Sequence, residues 1–199
     1  MKLPLKLGFL GSGNGSSAQA IIGAIRSGAL AAEARLVVSN RREAALLDWA
    51  AGQGVATALI QTVADPEGAD ARLAEAMRSH GVELIVMSGY LRRLGPRTLG
   101  RYAGRILNIH PGPLPEFGGQ GMYGRKVHEA VLAAGVQQSA IVIHLVDEDY
   151  DHGAEIARRI IDIAPGETPG SLEATIKARE PGFFLETLQG IVRGDIRLP

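Results

Sequence analysis

Short apolar segments alternate with amphipathic ones along the first two thirds of the chain, and this alternation constrains the fold more than any other feature. Leu84–Met87 is too short for a helix and too continuously apolar for a half-exposed strand, so it predicts a buried parallel strand. Later, the segments 140–146 and 155–163 are rich in β-branched residues and flank an acidic turn, which predicts an antiparallel pair. These patterns predict an α/β fold with three layers: a mostly parallel, twisted sheet, Rossmann-like in its N-terminal half, with antiparallel C-terminal strands.

The bounds of the elements follow from periodicity and from the turn residues between segments. A C-terminal helix is predicted with Ser171 as its N-cap, and Pro181 is expected to break or kink it. The proline- and glycine-rich stretch 112–124 predicts a long loop of the kind that usually has a function. No repeat or linker interrupts the pattern, so we expect one domain over 1–199. The predicted strands are 5–10, 35–39, 56–60, 84–87, 105–109, 140–146 and 155–163, and the earlier predicted helices are 18–25, 41–51, 70–79, 96–102 and 126–134.

Composition limits both the chemistry and the partners. Basic and acidic side chains balance at 21 each, which removes long-range attraction to a phosphate backbone, so we expect no nucleic acid partner. The sequence has no cysteine, which excludes disulfides, thiolate nucleophiles and cysteine-based metal sites. No apolar run approaches the roughly 18 residues of a membrane helix, and the N-terminal run is too short for a signal peptide. We therefore expect no membrane partner and a cytoplasmic location.

A glycine-rich turn separates the first strand from the first helix. Its glycines let backbone N–H groups converge at a helix N-terminus, where a phosphate is favoured. Ser16 breaks the dinucleotide spacing G-x-G-x-x-G, and no Lys-Ser or Lys-Thr pair follows, so a phosphate monoester fits better than a dinucleotide or a P-loop ligand. A turn that needs these residues for its geometry alone is the alternative. The candidate phosphate-binding residues are Gly13, Asn14, Gly15, Ser16 and Ser17.

Asn108 and His110 alternate at the C-terminal end of a predicted central strand, so they share one face at the sheet edge where ligands bind in open parallel sheets. An amide and an imidazolium can both donate hydrogen bonds to the oxygen that becomes negative during acyl transfer. Asp151, at the neighbouring strand end, could keep a histidine charged and accept a proton. Ordinary loop capping and a solvated acidic turn are the alternatives.

The other histidines are interpreted as supporting residues. His144 lies in an apolar strand and is expected to be satisfied in the core or to support the site, and His128 is expected near the mouth of the long loop. A metal site built from His110, His144, Asp151 and His152 is a weaker alternative, because no recognised ligand spacing is present. No metal is expected.

Four motifs occur in order along the chain. Through them the sequence resembles the folate-dependent phosphoribosylglycinamide formyltransferase family, and the resemblance covers nearly the whole chain. That resemblance implies the formyltransferase fold and an enzyme of purine synthesis, which transfers the formyl group of 10-formyltetrahydrofolate, a co-substrate, to the amine of glycinamide ribonucleotide. Both partners are small molecules, and the oligomeric state is left open, a homodimer included. The motifs are Gly13-Asn14-Gly15-Ser16, Ser88-Gly89-Tyr90-Leu91-Arg92, Asn108-Ile109-His110-Pro111 with Leu114-Pro115, and His144 followed seven residues later by Asp151.

The resemblance also implies roles for individual residues. Asn108 and a protonated His110 would stabilise the oxyanion, while Asp151, through water, would help to move the amine proton towards the folate nitrogen. Lys177 and Glu180 would join the glycine-rich turn in binding the ribonucleotide. Folate contacts are implied for Asn108 and for two loops, made of Leu91, Arg92, Arg93 and Leu94, and of Asp147, Glu148, Asp149 and Tyr150.

The chain departs from the family pattern at a few positions. Ser17 stands where the family usually has Asn, and Val142 stands where it usually has Ser or Thr. The arginine that many members place before the helix at 70–79 has no match, and Arg72 is only a nearby substitute. Pro181 directly after Glu180 is expected to disfavour a helical Glu180.

Rival functions are separated by chain length and charge. A methionyl-tRNA formyltransferase would carry a further C-terminal domain and basic surface, and a 10-formyltetrahydrofolate hydrolase would carry an extra N-terminal domain, so we expect neither. A formyltransferase-like protein acting on another amine stays an alternative. So does a non-catalytic nucleotide-binding module, for which Val142 and the missing arginine argue.

Overall fold

A single mixed sheet organises residues 3–199, the part of the chain that the computed structural model describes. Its strands and helices follow in the order β1 (Leu5–Leu10), α1 (Ser16–Arg26), β2 (Ala32–Ser39), α2 (Ala45–Gly52), β3 (Thr57–Leu59), α3 (Pro66–Ser79), β4 (Leu84–Met87), α4 (Pro96–Arg101), β5 (Ile106–His110), α5 (Arg125–Ala133), β6 (Gln138–Leu145), β7 (Glu155–Asp162) and α6 (Pro169–Arg193).

The strand order is β3-β2-β1-β4-β5-β6-β7. Strands β1 to β5 pair in parallel, and β6 pairs antiparallel with both β5 and β7. The order reverses on either side of β1, which places the ends of β1 and β4 at a switch point where α/β sheets bind ligands. The predicted fold class is confirmed.

Side-chain alternation along the strands builds a core on each face of the sheet. On one face Phe9 and Val86 pack with residues of α1, α2, α5 and α6, such as Ile21 and Phe184. On the other face residues such as Met87 pack with α3 and α4. The layers are therefore helices, sheet and helices, and β4 is buried on both faces as its apolar run predicts.

The start of α6 corrects one prediction. The N-cap is Thr168, whose hydroxyl accepts from the N–H of Ser171, while the Ser171 hydroxyl accepts from the N–H of Thr168. Ser171 is thus the reciprocal partner in a capping box, three residues inside the helix. The sequence offered two hydroxyl residues at this spacing, and the first of them is the cap.

The break expected at Pro181 does not occur, because α6 continues through it, and Glu180 is helical contrary to prediction. A proline inside a helix loses one backbone hydrogen bond and costs roughly 3 kcal/mol. Phe184 and Leu188, both fully buried just beyond the proline, anchor the following turns to the sheet. Their burial is worth roughly 2 kcal/mol or more for each side chain, which offsets the cost.

Helices α3 and α2 each begin four residues away from the predicted start. Helix α3 begins at Pro66 because Asp65 caps it, accepting from the N–H of Gly68 at 2.9 Å. Helix α2 begins only at Ala45, since the residues before it form a turn in which the Arg41 Nε donates to Glu43 at 2.9 Å. Within residues 3–199, no helix is both long and apolar enough to cross a membrane.

Candidate active site

The polar end of β5 lies beside β6, and the antiparallel register sets which side chains meet. Asn108 is opposite His144, and His110 is opposite Val142. These side chains lie on the sheet face opposite to Leu107, as the alternation along β5 predicts. Val142 is fully buried, so the position where a hydroxyl was expected from the family presents only methyl groups beside His110.

Asp151 joins this cluster from the turn between β6 and β7. Its backbone has φ +57°, a left-handed conformation that Asp and Asn adopt more readily than other non-glycine residues. One carboxylate oxygen, Oδ2, accepts from the N–H of Gly119 at 3.0 Å and lies 3.5 Å from His110 Nδ1. The other, Oδ1, lies 3.4 Å from His144 Nε2. Asp151 therefore links the long loop to both imidazoles.

The Asn108 amide is oriented by His144. The Nδ1 of His144 donates to the carbonyl of Leu145 at 2.8 Å, since a carbonyl can only accept. The Nε2 of that tautomer accepts from Asn108 Nδ2 at 3.1 Å. One hydrogen of the Asn108 amide is thereby fixed, and the residue is partly exposed. His144 is buried and contacts Asn108, and its supporting role stays a prediction.

His110 is held by a backbone carbonyl of the long loop. Its Nε2 donates to the carbonyl of Phe117 at 2.8 Å, and the ring is almost completely buried. Burial lowers the pKa of His110 below its usual value, even though Asp151 and the Phe117 carbonyl act in the opposite direction. Burial thus favours the neutral form of the imidazole, and its Nδ1 faces Asp151.

Asp151 is the acidic member of this pair. Burial favours its neutral form, but the contact with His144, the charge that His110 carries when it is protonated, and the Gly119 N–H outweigh burial and hold the pKa of Asp151 below its usual value. A carboxylate beside a neutral imidazole nitrogen can hold one extra proton between them. The arrangement can thus accept a proton and return it.

The glycine-rich turn ends in an open helix N-terminus. Gly15 adopts a left-handed conformation, with φ +63°, immediately before α1. A Cβ there would lie 2.6 Å from Leu46, so the turn requires glycine at this position. The N-cap Gly15 offers no side chain and the first turn of α1 has no acidic residue. The N–H of Ala18 donates to Ser88 Oγ at 3.3 Å, which leaves the N–H groups of Ser16 and Ser17 for an anion. Ser16 is exposed and Ser17 is buried.

The neighbouring Asn14 and Gly13 complete the turn. Both residues are exposed, and Gln19 Nε2 donates to the Asn14 carbonyl at 2.8 Å. The Gly13 carbonyl accepts from the N–H of Leu46 at 3.2 Å, which ties the turn to α2. Helix α1 also packs against α6, the helix that carries the remaining predicted ribonucleotide residues.

Those two residues have different environments on α6. Lys177 Nζ donates to Glu173 at 2.6 Å, and Glu173 also accepts from Arg125 Nε at 3.0 Å. The Lys177 ammonium is thus paired within the chain. Glu180 is partly buried, and burial raises its pKa to about 7, although Lys177 acts against the shift. Arg72, the substitute for the missing arginine, pairs with Asp65 at 2.9 Å.

The two predicted folate loops meet through Arg93. Its Nη2 donates to the carbonyl of Glu148, its guanidinium lies 3.8 Å from an Asp149 carboxylate oxygen, and it stacks over the Tyr150 ring at 5.9 Å from the centroid. Leu91 and Arg92 are exposed, whereas Leu94 is buried. Asp147 Oδ1 accepts from the N–H of Asp149 at 3.0 Å, which shapes the turn.

A cleft of about 460 Å³ opens beside these loops, between α3, α4 and the segment after β4. Asn108, His110 and Asp151 do not line it, so it adjoins the loops rather than the polar end of β5. Its walls are mostly apolar with a few polar groups, which suits a flat aromatic ring. The lining includes Ile60, Leu73, Tyr90, Arg93, Leu94, Leu99 and Glu148.

His128 is buried on α5, and its Nδ1 has no hydrogen-bond partner within residues 3–199. Burial lowers the pKa of His128, with Glu173 acting in the opposite direction. Although His110, His144 and Asp151 come together, no group of three His, Asp or Glu side chains in the described part of the chain could hold a metal ion.

Several contributors to the site carry no local sequence signal. The Phe117 carbonyl and the Gly119 N–H are backbone groups of the long loop, and their use depends on how that loop folds over β5. Asp70 is buried and accepts from the N–H groups of Arg97 and Thr98 at 2.8 and 3.0 Å, which fixes α4 beside the cleft. The long loop itself was recognisable from its prolines and glycines, but not its contacts.

The class of protein follows from a comparison with known families. Residues 5–188 match the family described as formyl transferase, and the chain belongs to this family. The match spans the whole sheet and the first half and more of α6, so it includes every residue of the cluster around His110.

Within that family the chain is similar to phosphoribosylglycinamide formyltransferases. It is 30% identical to the enzyme of that name from Haemophilus influenzae, covering 97% of this chain and 90% of the relative. A Vigna unguiculata protein named phosphoribosylglycinamide formyltransferase, chloroplastic, is 32% identical over 94% of this chain, which spans only 60% of that protein's length. The solved phosphoribosylglycinamide formyltransferase from Coxiella burnetii superposes with a TM-score of 0.87 at 35% identity, covering 96% of this chain and 88% of that one.

Proposed function

We propose that the chain transfers the formyl group of 10-formyltetrahydrofolate to the amine of glycinamide ribonucleotide, as a phosphoribosylglycinamide formyltransferase of purine synthesis. The observation that carries this proposal is the meeting of Asn108, His110 and Asp151 at one sheet edge. An oriented amide donor lies there beside a proton-accepting pair, which are the two functions that formyl transfer to an amine requires.

In the proposed reaction, the amine nitrogen forms a bond to the formyl carbon, and the carbonyl electron pair moves to oxygen. The free hydrogen of the Asn108 amide donates to that oxyanion. The proton released by the amine passes to the His110–Asp151 pair and then to the folate nitrogen as the bond from carbon to that nitrogen breaks. The His110 role differs from direct oxyanion donation, because its Nε2 is occupied by the Phe117 carbonyl.

The ribonucleotide phosphate would bind at the N-terminus of α1, and Glu180 would face its ribose hydroxyls or amine. The pterin would lie in the cleft beside Arg93 and Leu94. Supporting this division, the two predicted binding regions lie next to each other at the carboxyl ends of β1 and β4. We keep the cytoplasm as the proposed location and a homodimer as a proposed state, which cell fractionation and sedimentation would test.

A steady-state assay of the purified chain tests the reaction. With glycinamide ribonucleotide and 10-formyltetrahydrofolate, turnover of about 1 to 10³ per second is expected. Loss of the formyl group at the same rate without the ribonucleotide would instead indicate a hydrolase. Binding of both compounds without turnover would indicate the non-catalytic module, and turnover with a different amine only would change the assigned acceptor.

Two histidine variants, one outside the cluster as the control and one inside it as the test, are compared. His80 lies at the C-terminal end of α3 and is exposed, so His80→Ala should leave turnover unchanged. His110→Ala removes the proton acceptor and should lower kcat by about 10² or more. Equal activity of the two variants would contradict the proposed mechanism.

A further inference from the structure

The two substrate-binding segments are joined by one buried hydroxyl. Ser12, in the turn between β1 and α1, is 3% exposed. Its Oγ donates to Asn40 Oδ1 at 2.6 Å and accepts from the N–H of Leu91 at 2.9 Å. Its own N–H donates to the Gly89 carbonyl at 3.0 Å. The hydroxyl thus connects the glycine-rich turn, the end of β2 and Leu91, the first residue of the predicted folate loop 91–94.

Both the hydrogen and the oxygen of the Ser12 hydroxyl take part in hydrogen bonds. A serine hydroxyl has one hydrogen, and here that hydrogen is directed to Asn40. This direction leaves the oxygen lone pairs for Leu91, whose side chain is 58% exposed and gives the loop little packing of its own. The hydrogen bond from the Leu91 N–H to Ser12 Oγ therefore helps to hold Leu91 in place.

We propose that Ser12, oriented by Asn40, is a positioning residue that couples the two substrate sites. When the ribonucleotide orders the glycine-rich turn, it fixes the Ser12 oxygen that accepts from the Leu91 N–H. The segment 91–94 is then positioned to bind folate. The inference rests on the proposed function, and it adds a reciprocal coupling between acceptor and donor binding.

Ser12→Ala removes both hydrogen bonds and tests the coupling. Tetrahydrofolate, which lacks the formyl group, can bind together with glycinamide ribonucleotide without reacting, so isothermal titration can give its Kd with and without the ribonucleotide. In the wild type we expect the ribonucleotide to tighten tetrahydrofolate binding about fivefold or more, and in Ser12→Ala less than about twofold. The KM for the formyl donor should rise about 5- to 10-fold with a smaller change in kcat.

Asn40→Ala is the second variant, in case Ser12→Ala does not fold. It leaves the Ser12 oxygen able to accept from Leu91 but frees the hydroxyl to rotate, so its effect should be in the same direction and smaller. The control is Ser139→Ala: Ser139 is equally buried, at 1% exposure, but its hydroxyl has no partner within residues 3–199. That variant should keep the wild-type coupling.

The outcomes separate the inference from the proposed function. Wild-type turnover with an unchanged coupling factor and KM in folded Ser12→Ala and Asn40→Ala overturns the coupling alone. A wild type that binds both ligands independently also overturns it. A wild type that binds neither ligand refutes the proposed function and, with it, the coupling. Loss of coupling in both variants, with Ser139→Ala unchanged, supports the inference.

Discussion

Replacing Glu180 by Gln should stabilise the protein at high pH and not at low pH. Burial raises the pKa of Glu180 from the ordinary 4.5 to about 7, so folding favours its protonated form. The unfolded state then loses its proton at lower pH than the folded state, and stability falls as the pH rises from about 4.5 to about 7. At 1.36 kcal/mol for each tenfold step in proton affinity, this difference corresponds to about 3 kcal/mol.

Glu180→Gln keeps the shape of the neutral acid and removes the titration. Urea unfolding should show the variant more stable than the wild type by about 3 kcal/mol near pH 8.5, and by less than about 0.5 kcal/mol near pH 4.5. In the free protein, burial raises the pKa of Glu180. A ribonucleotide whose amine faces Glu180 should favour the ionised form of this carboxyl, so its binding should release a proton.

Glu173→Gln is the control on the same helix, with the opposite sign. Hydrogen bonds from Lys177 and Arg125 lower the pKa of Glu173, so its contribution to stability is present above the ordinary pKa and is lost as the pH falls through the lowered one. This variant should destabilise at neutral pH and approach the wild type in acid. If both variants changed the free energy of unfolding by the same amount at both pH values, the burial argument for Glu180 would be refuted.

Other substitutions probe the cluster and its framework. Asn108→Ala should lower kcat by about 10² to 10³, or roughly 3 to 4 kcal/mol, with little change in the Kd of either substrate, and a near-wild-type kcat would remove its role as the oxyanion donor. Asp151→Asn keeps a residue type that tolerates φ +57°. Because Asp151 raises the pKa of His110 against the larger effect of burial, NMR titration of this variant should show a still lower His110 pKa, together with reduced kcat; an unchanged titration curve would disprove the pairing. Gly153→Ala should lower the melting temperature strongly, since its Cβ would lie 1.9 Å from a backbone carbonyl oxygen, whereas Gly23→Ala, which meets nothing within 4 Å in α1, should raise it slightly; equal shifts would contradict the packing argument.

Elements with a strong apolar signal could be predicted from the sequence. The strand Leu84–Met87 was predicted with its bounds, because a four-residue apolar run fits few structures other than a central strand. Helix ends were predicted less well. The choice between Thr168 and Ser171 as the cap of α6, and the continuation of that helix through Pro181, depend on packing with the sheet that local sequence does not contain.

The candidate site shows the same division. Asn108 and His110 could be placed on one face from alternation alone, and Asp151 was a candidate from its place at the neighbouring strand end. The environment of His110 could not be predicted, because it depends on burial and on a backbone carbonyl from a loop without periodicity. The contact between Ser12 and Leu91 was missed because the two residues are 79 positions apart.

The most direct test of the proposed reaction follows the formyl group itself. The donor is prepared with an isotopic label on the formyl carbon, and the labelled products are separated after a single turnover with glycinamide ribonucleotide. The account predicts that the label is recovered in the ribonucleotide in the same amount as the tetrahydrofolate formed. Recovery of the label as free formate would contradict it.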